Sequence, residues 1–201
     1  MALSLKTLLY KAFIDPLLSG LHRSVLVHIG SSYRVLDVAC GTGALALTMA
    51  RKARHVTGID ISKENIAAAK QASRSKGANN VFFELRDAGD LSCYAGNEFD
   101  IAVTSMAVHQ FDAELTVKIL AGMKRIARRL IIVDYNHHMP RGWGRSVAWG
   151  IERLAGGDHF RNFRTYMQRG GIHHFARRAG ITLISEVIRG GGVFVVVLGK
   201  V

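Results

Sequence analysis

Cysteine and proline are scarce in this chain: 201 residues contain two of each. Cys40 and Cys93 form no CxxC or metal-ligand spacing, which argues against a disulfide framework and a cysteine-held zinc. No metal is expected, and a reducing cytoplasm fits. No Ser/Gly/Pro-rich stretch marks a linker, and no repeat of solenoid period is present, so one domain over 1–201 is expected. No uncharged apolar run approaches the roughly 20 residues needed to cross a bilayer. Lys6, Lys11 and Asp15 interrupt the apolar residues of the N-terminus, which does not have the layout of a signal peptide.

Acid is the other scarcity. Fifteen Asp/Glu stand against 27 Lys/Arg, for a net charge of +12. Twelve of the basic and three of the acidic residues fall between Met123 and Arg178, so that segment carries +9 and the remainder +3. A surface of this kind attracts anionic partners such as phospholipid headgroups, nucleic acid or acidic substrates, or is simply a solvated basic face.

What the chain has in plenty is apolar periodicity, with 49% apolar residues. Residues 3–29 read as two amphipathic helices split near Asp15-Pro16. Short apolar runs at 33–38, 55–59, 80–86, 99–105 and 129–135 then alternate with helical patterns at 43–53, 63–76 and 112–128. That alternation predicts a mostly parallel sheet with helices on both faces. Residues 141–155 and 159–179 read as basic helices. The β-rich runs 181–188 and 193–198, joined by Arg189-Gly190-Gly191-Gly192, predict a closing antiparallel hairpin.

The most telling segment is Val35-Leu-Asp-Val-Ala-Cys-Gly-Thr-Gly-Ala44, with Asp60 closing the next apolar run. Strand, glycine turn, helix, strand and acid form the layout of a nucleotide-cofactor site at the carboxyl ends of the strands. Gly41-Thr-Gly-Ala-Leu-Ala46 can be laid on the dinucleotide pattern G-x-G-x-x-A, but that match stands alone. No Tyr-x-x-x-Lys of a short nicotinamide-dependent oxidoreductase accompanies it. The other pattern is Asp37-Val-Ala-Cys-Gly-Thr-Gly43, an acid ending the strand ahead of small residues.

This second pattern resembles motif I of the class I S-adenosylmethionine-dependent methyltransferases. Three further segments follow in the family's order: Gly58-Ile-Asp-Ile-Ser62, Leu85-Arg-Asp-Ala-Gly-Asp-Leu91 and Glu98-Phe-Asp-Ile-Ala-Val-Thr-Ser-Met-Ala-Val-His-Gln-Phe111. The resemblance covers residues 33–135 well and the tail loosely, and is nearest to the small-molecule branch that includes ubiquinone and menaquinone methyltransferases. It implies an α/β Rossmann-like three-layer sandwich with a seven-stranded sheet. It also implies N-terminal helices (1–30) as a lid and a helical insert (136–180) shaping the substrate pocket.

Carried over by position, Asp37 would lie near the methionine part of the cofactor, and Ala39, Cys40, Gly41, Thr42 and Gly43 would wrap it. Asp60, followed by Ile61, would accept from the ribose hydroxyls. Asp87 and the Ala88 backbone would meet the adenine, and the backbone at Ser105-Met106 would face the amino group. Tyr10 would reach the site from the N-terminal helices. Ala39 departs from the glycine common in the family. No basic residue occurs from Val35 to Met49, as suits a cofactor that is cationic and carries no phosphate. Asp87 alone could equally cap a helix or turn, as could Asp90.

Methyl transfer needs a general base only where the acceptor must lose a proton. His109, His137 and His138 are the candidates, since imidazole titrates near neutrality. Packing for His109 and solvation for the other two are the alternatives. Tyr10, Phe13, Trp143, Trp149, Phe160 and Tyr166 are candidates to line an acceptor pocket, with core packing as the alternative. A small, lipophilic acceptor and peripheral contact with an anionic membrane are expected from the amphipathic N-terminus and the basic residues. RNA methylation, or non-catalytic cofactor or RNA binding, is the alternative. DNA amino-methylation is disfavoured, because Thr104-Ser-Met-Ala107 contains no proline.

Overall fold

The computed structural model describes residues 15–200. The first of the two predicted N-terminal helices, with Tyr10 and Phe13, lies outside them. The described elements begin with α1 (Asp15–Leu26), β1 (Arg34–Val38), α2 (Ala44–Ala50), β2 (His55–Asp60), α3 (Lys63–Ser75) and β3 (Val81–Leu85). Next come β4 (Ile101–Ser105), a 3-10 turn (Val108–Gln110), α4 (Ala113–Ile126) and β5 (Arg129–Tyr135). The tail holds α5 (Trp143–Ala155), α6 (Gly157–Arg169), α7 (Gly171–Arg178), β6 (Thr182–Arg189) and β7 (Phe194–Lys200).

The strands form one seven-stranded sheet in the order β3-β2-β1-β4-β5-β7-β6. β1 to β5 run parallel, whereas β7 lies antiparallel to both β5 and β6. β1, β4 and β5 are buried nearly throughout because helices cover both faces, which is why they read as continuous apolar runs rather than alternations. Each fully buried Ile, Leu or Val there contributes about 1.5–3 kcal/mol. β6 is the exposed edge, its pairing with β7 interrupted by an irregularity between Leu183 and Ser185.

Side chains set the helix starts. Ser62 caps α3 by accepting from the Asn65 N–H, and Asp112 caps α4 by accepting from the N–H groups of Glu114 and Leu115. The basic stretch predicted as one helix over 159–179 is two, because Gly170 and Gly171 both take positive φ and end α6 before α7 begins. Chain order reverses between β1 and β4, which places the switch point, where open α/β sheets bind ligands, at residues 37–43 and 104–110.

Candidate functional site

The first half of the site is made mostly of backbone. The turn after β1 carries three positive φ values, at Ala39 (58°), Gly41 (54°) and Gly43 (79°). Two of these fall to glycine for different reasons. A Cβ on Gly43 would sit 2.6 Å from the Phe83 ring, so tight packing excludes it. A Cβ on Gly41 would meet nothing within 4 Å, so this position opens into free space. Ala39 has no such freedom and holds left-handed backbone at a cost of roughly 1–2 kcal/mol.

Asp60 holds this turn in place. Its Oδ2 accepts from the Gly41 N–H at 2.8 Å, and its Oδ1 accepts from the Ser62 N–H at 2.9 Å and the Asn65 amide at 3.3 Å. Those bonds leave part of its acceptor capacity unused. Beside it the Ile61 side chain is 74% exposed, an uncovered apolar surface on the cleft.

Asp37 is buried, and its Oδ2 has no hydrogen-bond partner among the described residues. Burial pushes its carboxyl up to about 8, helped by the charge of Asp60 and opposed by the Ala46 N–H. Burial and these two acids also push the Cys40 thiol up, so Cys40 stays a thiol and not a nucleophile. The turn thus contains a buried carboxyl with one oxygen unpartnered and no basic side chain, a combination that accommodates a cation.

The remaining predicted positions line up along the same edge. Asp87 is exposed and accepts from the Gly89 N–H at 2.7 Å, so it closes a turn rather than capping a helix. Asp90 does the same with the Ser92 N–H at 3.0 Å. Ser105 ends β4, and Met106 follows with φ 55°. The Met106 carbonyl accepts from the Gln110 amide at 2.7 Å, so it is already engaged within the chain.

The second half of the site is made of side chains. His109 is 2% exposed, and its Nδ1 lies 2.6 Å from Asp134 Oδ1. Asp134, itself 0% exposed, also accepts from the N–H groups of His109 (3.2 Å) and Tyr135 (2.7 Å). On the far side of the ring, His109 Nε2 lies 3.6 Å from Glu152 Oε1, and Tyr135 donates its hydroxyl to that oxygen at 2.8 Å. Glu152 Oε2 lies 2.5 Å from His159 Nε2. Burial disfavours a charged His109, but Asp134 and Glu152 outweigh it and hold the imidazole above its ordinary range.

The sequence reading singled out His109 and missed Asp134, Glu152 and His159. Two signals were present. Asp134 stands near the end of an otherwise apolar buried strand, and Glu152 shares the buried face of α5 with Ala148, one turn away. Neither signal names a partner, because the partners come from separate elements.

His137 and His138 do not join this cluster. Their rings lie 3.8 Å apart at a tilt of 43°, and His137 faces His173 at 5.2 Å, while His173 pairs with Glu186. Burial first, then its histidine neighbours, hold His137 below its ordinary range. Of the predicted pocket aromatics, Trp143 does border a cavity. Trp149 and Phe160 instead pack around Phe163 (5.1 and 6.3 Å), and Tyr166 is buried, bonding the Tyr135 carbonyl at 3.0 Å. That cavity, about 430 Å³, is lined by Tyr135, Trp143, Ala148, Ile151 and Phe194, with Arg141 and Arg145 among its walls.

Comparison with known proteins agrees with this architecture. Residues 29–164 match the family described as "Methyltransferase domain". The chain is 34% identical to methyltransferase GfsG of Streptomyces halstedii over 130 residues, 60% of this chain and 46% of that one. It is 29% identical to a ubiquinone biosynthesis O-methyltransferase of Xanthomonas axonopodis pv. citri over 157 residues, 75% of this chain and 63% of that one. The chain spans about half the length of the curated relatives it matches. In fold it is similar to magnesium protoporphyrin IX methyltransferase from Synechocystis PCC 6803 with bound S-adenosylhomocysteine. The TM-score is 0.64 at 19% identity, covering 90% of this chain and 82% of that one.

Proposed function

The chain belongs to the methyltransferase-domain family, and we propose that it transfers a methyl group from S-adenosylmethionine to a small, lipophilic acceptor. S-adenosylmethionine supplies an electrophilic methyl on a sulfonium, which leaves as a neutral thioether. The observation that carries the reading is the buried Asp37 carboxyl, one of its oxygens without a partner, in a turn that opens at Gly41 and is free of basic residues. A cationic ligand without phosphate suits that turn.

Within this reading, Asp60 holds the glycine turn and keeps acceptor capacity for one ribose hydroxyl. Ile61 offers an apolar face to the adenine, beside Asp87 and Ala88. The Ala39–Gly43 backbone surrounds the methionine part, with Ser105-Met106 opposite. Tyr10 would close the site from outside the described residues. In-line transfer depends chiefly on holding donor and acceptor at near-attack distance. Where the acceptor is a hydroxyl, His109 is the side chain best supported to take its proton, since it follows β4 and is oriented by Asp134. The cavity beside Tyr135 supports a lipophilic acceptor with an acidic or polar end facing Arg141 and Arg145. The ubiquinone O-methyltransferase relatives support the same acceptor class. No helix among the described residues is long and apolar enough to cross a membrane, and we place the protein in the cytoplasm, with the basic insert touching an anionic membrane surface.

The test is transfer of labelled methyl from S-adenosylmethionine into organic-soluble and aqueous metabolite extracts. Label in the organic phase, lost in a folded Asp60→Ala variant, is expected. No label in either phase, or undiminished label with that variant, refutes the reading.

A further inference from the structure

We propose that His109, Glu152 and His159 form a binding site for one divalent transition-metal ion. The ligating atoms of the three residues all lie within 4.8 Å of one another. Each comes from a different element: the 3-10 turn after β4, then α5, then α6.

The hydrogen bonds around the trio orient it for an ion. Asp134 accepts from His109 Nδ1, which puts the ring proton on that nitrogen and the lone pair on Nε2. The lone pair faces Glu152 Oε1 at 3.6 Å, so two acceptors confront each other in a buried place. Such an arrangement requires something positive between them, either a proton or a metal ion. Tyr135 fixes the same carboxylate from behind at 2.8 Å. A carboxylate behind a ligating histidine and a hydrogen bond on the ligating carboxylate are the usual supports of a metal site. His159 is 31% exposed on its side chain, while His109 and Glu152 are nearly closed off, so the trio has one accessible side.

Two imidazoles and one carboxylate favour zinc, iron(II), cobalt(II) or manganese(II) over magnesium or calcium, which prefer oxygen donors. Three protein ligands leave coordination positions open. With an ion present, His109 and His159 are ligands rather than bases. An acceptor hydroxyl or carbonyl oxygen is then the group that the open side takes. Only this last step rests on the methyl-transfer reading; the ion site does not.

The full chain, stripped with chelator, is titrated with zinc by calorimetry and with cobalt(II) by visible absorption. One ion per chain, with the spectrum of nitrogen and oxygen donors, is expected. His159→Gln and Glu152→Gln should each weaken zinc at least tenfold. Asp134→Asn should weaken it by about 10- to 100-fold, and His138→Gln should leave it unchanged. His159 is partly exposed, so its variant tests the site even if a Glu152 variant does not fold. Absence of saturable binding by the wild type overturns the proposal and leaves the proton-bridged cluster. So does a thiolate spectrum, or a loss caused by His138→Gln and not by His159→Gln. Binding of S-adenosylhomocysteine by the same stripped protein is read separately, so failure of the ion site and failure of the cofactor reading are distinguishable.

Discussion

The carboxyl edge of this sheet has two ends built in different ways. At β1 to β3 the site is backbone shaped by short-range rules: positive φ at Ala39, Gly41 and Gly43, a turn bond at Asp87, and one long strut from Asp60 to Gly41. At β4 and β5 it is a knot of buried polar side chains, His109, Asp134, Glu152 and Tyr166, drawn from separate elements. The first end is open to a ligand; the second is largely closed. Apart from the Asp60 strut, the first end rests on features fixed within a few residues, whereas the second rests on features that exist only after the chain has folded.

The sharpest way to break the first end is Gly43→Ala. It forces a Cβ 2.6 Å from Phe83 at φ 79°, and an equilibrium urea titration should show a loss of about 2–4 kcal/mol. A loss under about 0.5 kcal/mol would mean the turn is not held as described. The second end is broken by Tyr166→Phe. This hydroxyl donates to the Tyr135 carbonyl and accepts from the Ile172 N–H. Its removal should cost about 1–3 kcal/mol while leaving S-adenosylhomocysteine affinity unchanged. A drop in that affinity would show that the two ends are coupled.

Asp37 gives an effect spread over pH and a direction that can fail. Its carboxyl titrates near 8 when folded against an ordinary value of 3.8. Between those values the unfolded chain holds fewer protons than the folded one, so stability is greatest below pH 4 and declines as pH rises toward 8, after which it levels. The slope is at most about 1.4 kcal/mol per pH unit. Asp37→Asn should flatten that part of the stability–pH curve; an unchanged slope would assign the dependence to other groups.

Legibility followed the same divide. The strand–turn–strand periodicity, the glycine turn and the closing hairpin rest on local spacing, and the hairpin's pairing with β5 agrees in register from Tyr135↔Phe194 to Arg129↔Lys200. The break between α6 and α7 was missed because amphipathic periodicity runs on through Gly170-Gly171, where only the pair of positive φ values interrupts it. His109 was legible as a polar residue after β4, but its partners were not: nothing in the spacing of Asp134, Glu152 and His159 signals a meeting. The two buried acids among the three of the basic segment also explain why its surface is more basic than its composition.

Calorimetric titration of the full chain with S-adenosylhomocysteine tests the cofactor cleft most directly. One molecule bound per chain is expected, weakened about 10-fold in Asp60→Ala through loss of one charge-assisted hydrogen bond of roughly 1.5 kcal/mol. No binding by the folded wild type, or equal affinity in the folded variant, would contradict it.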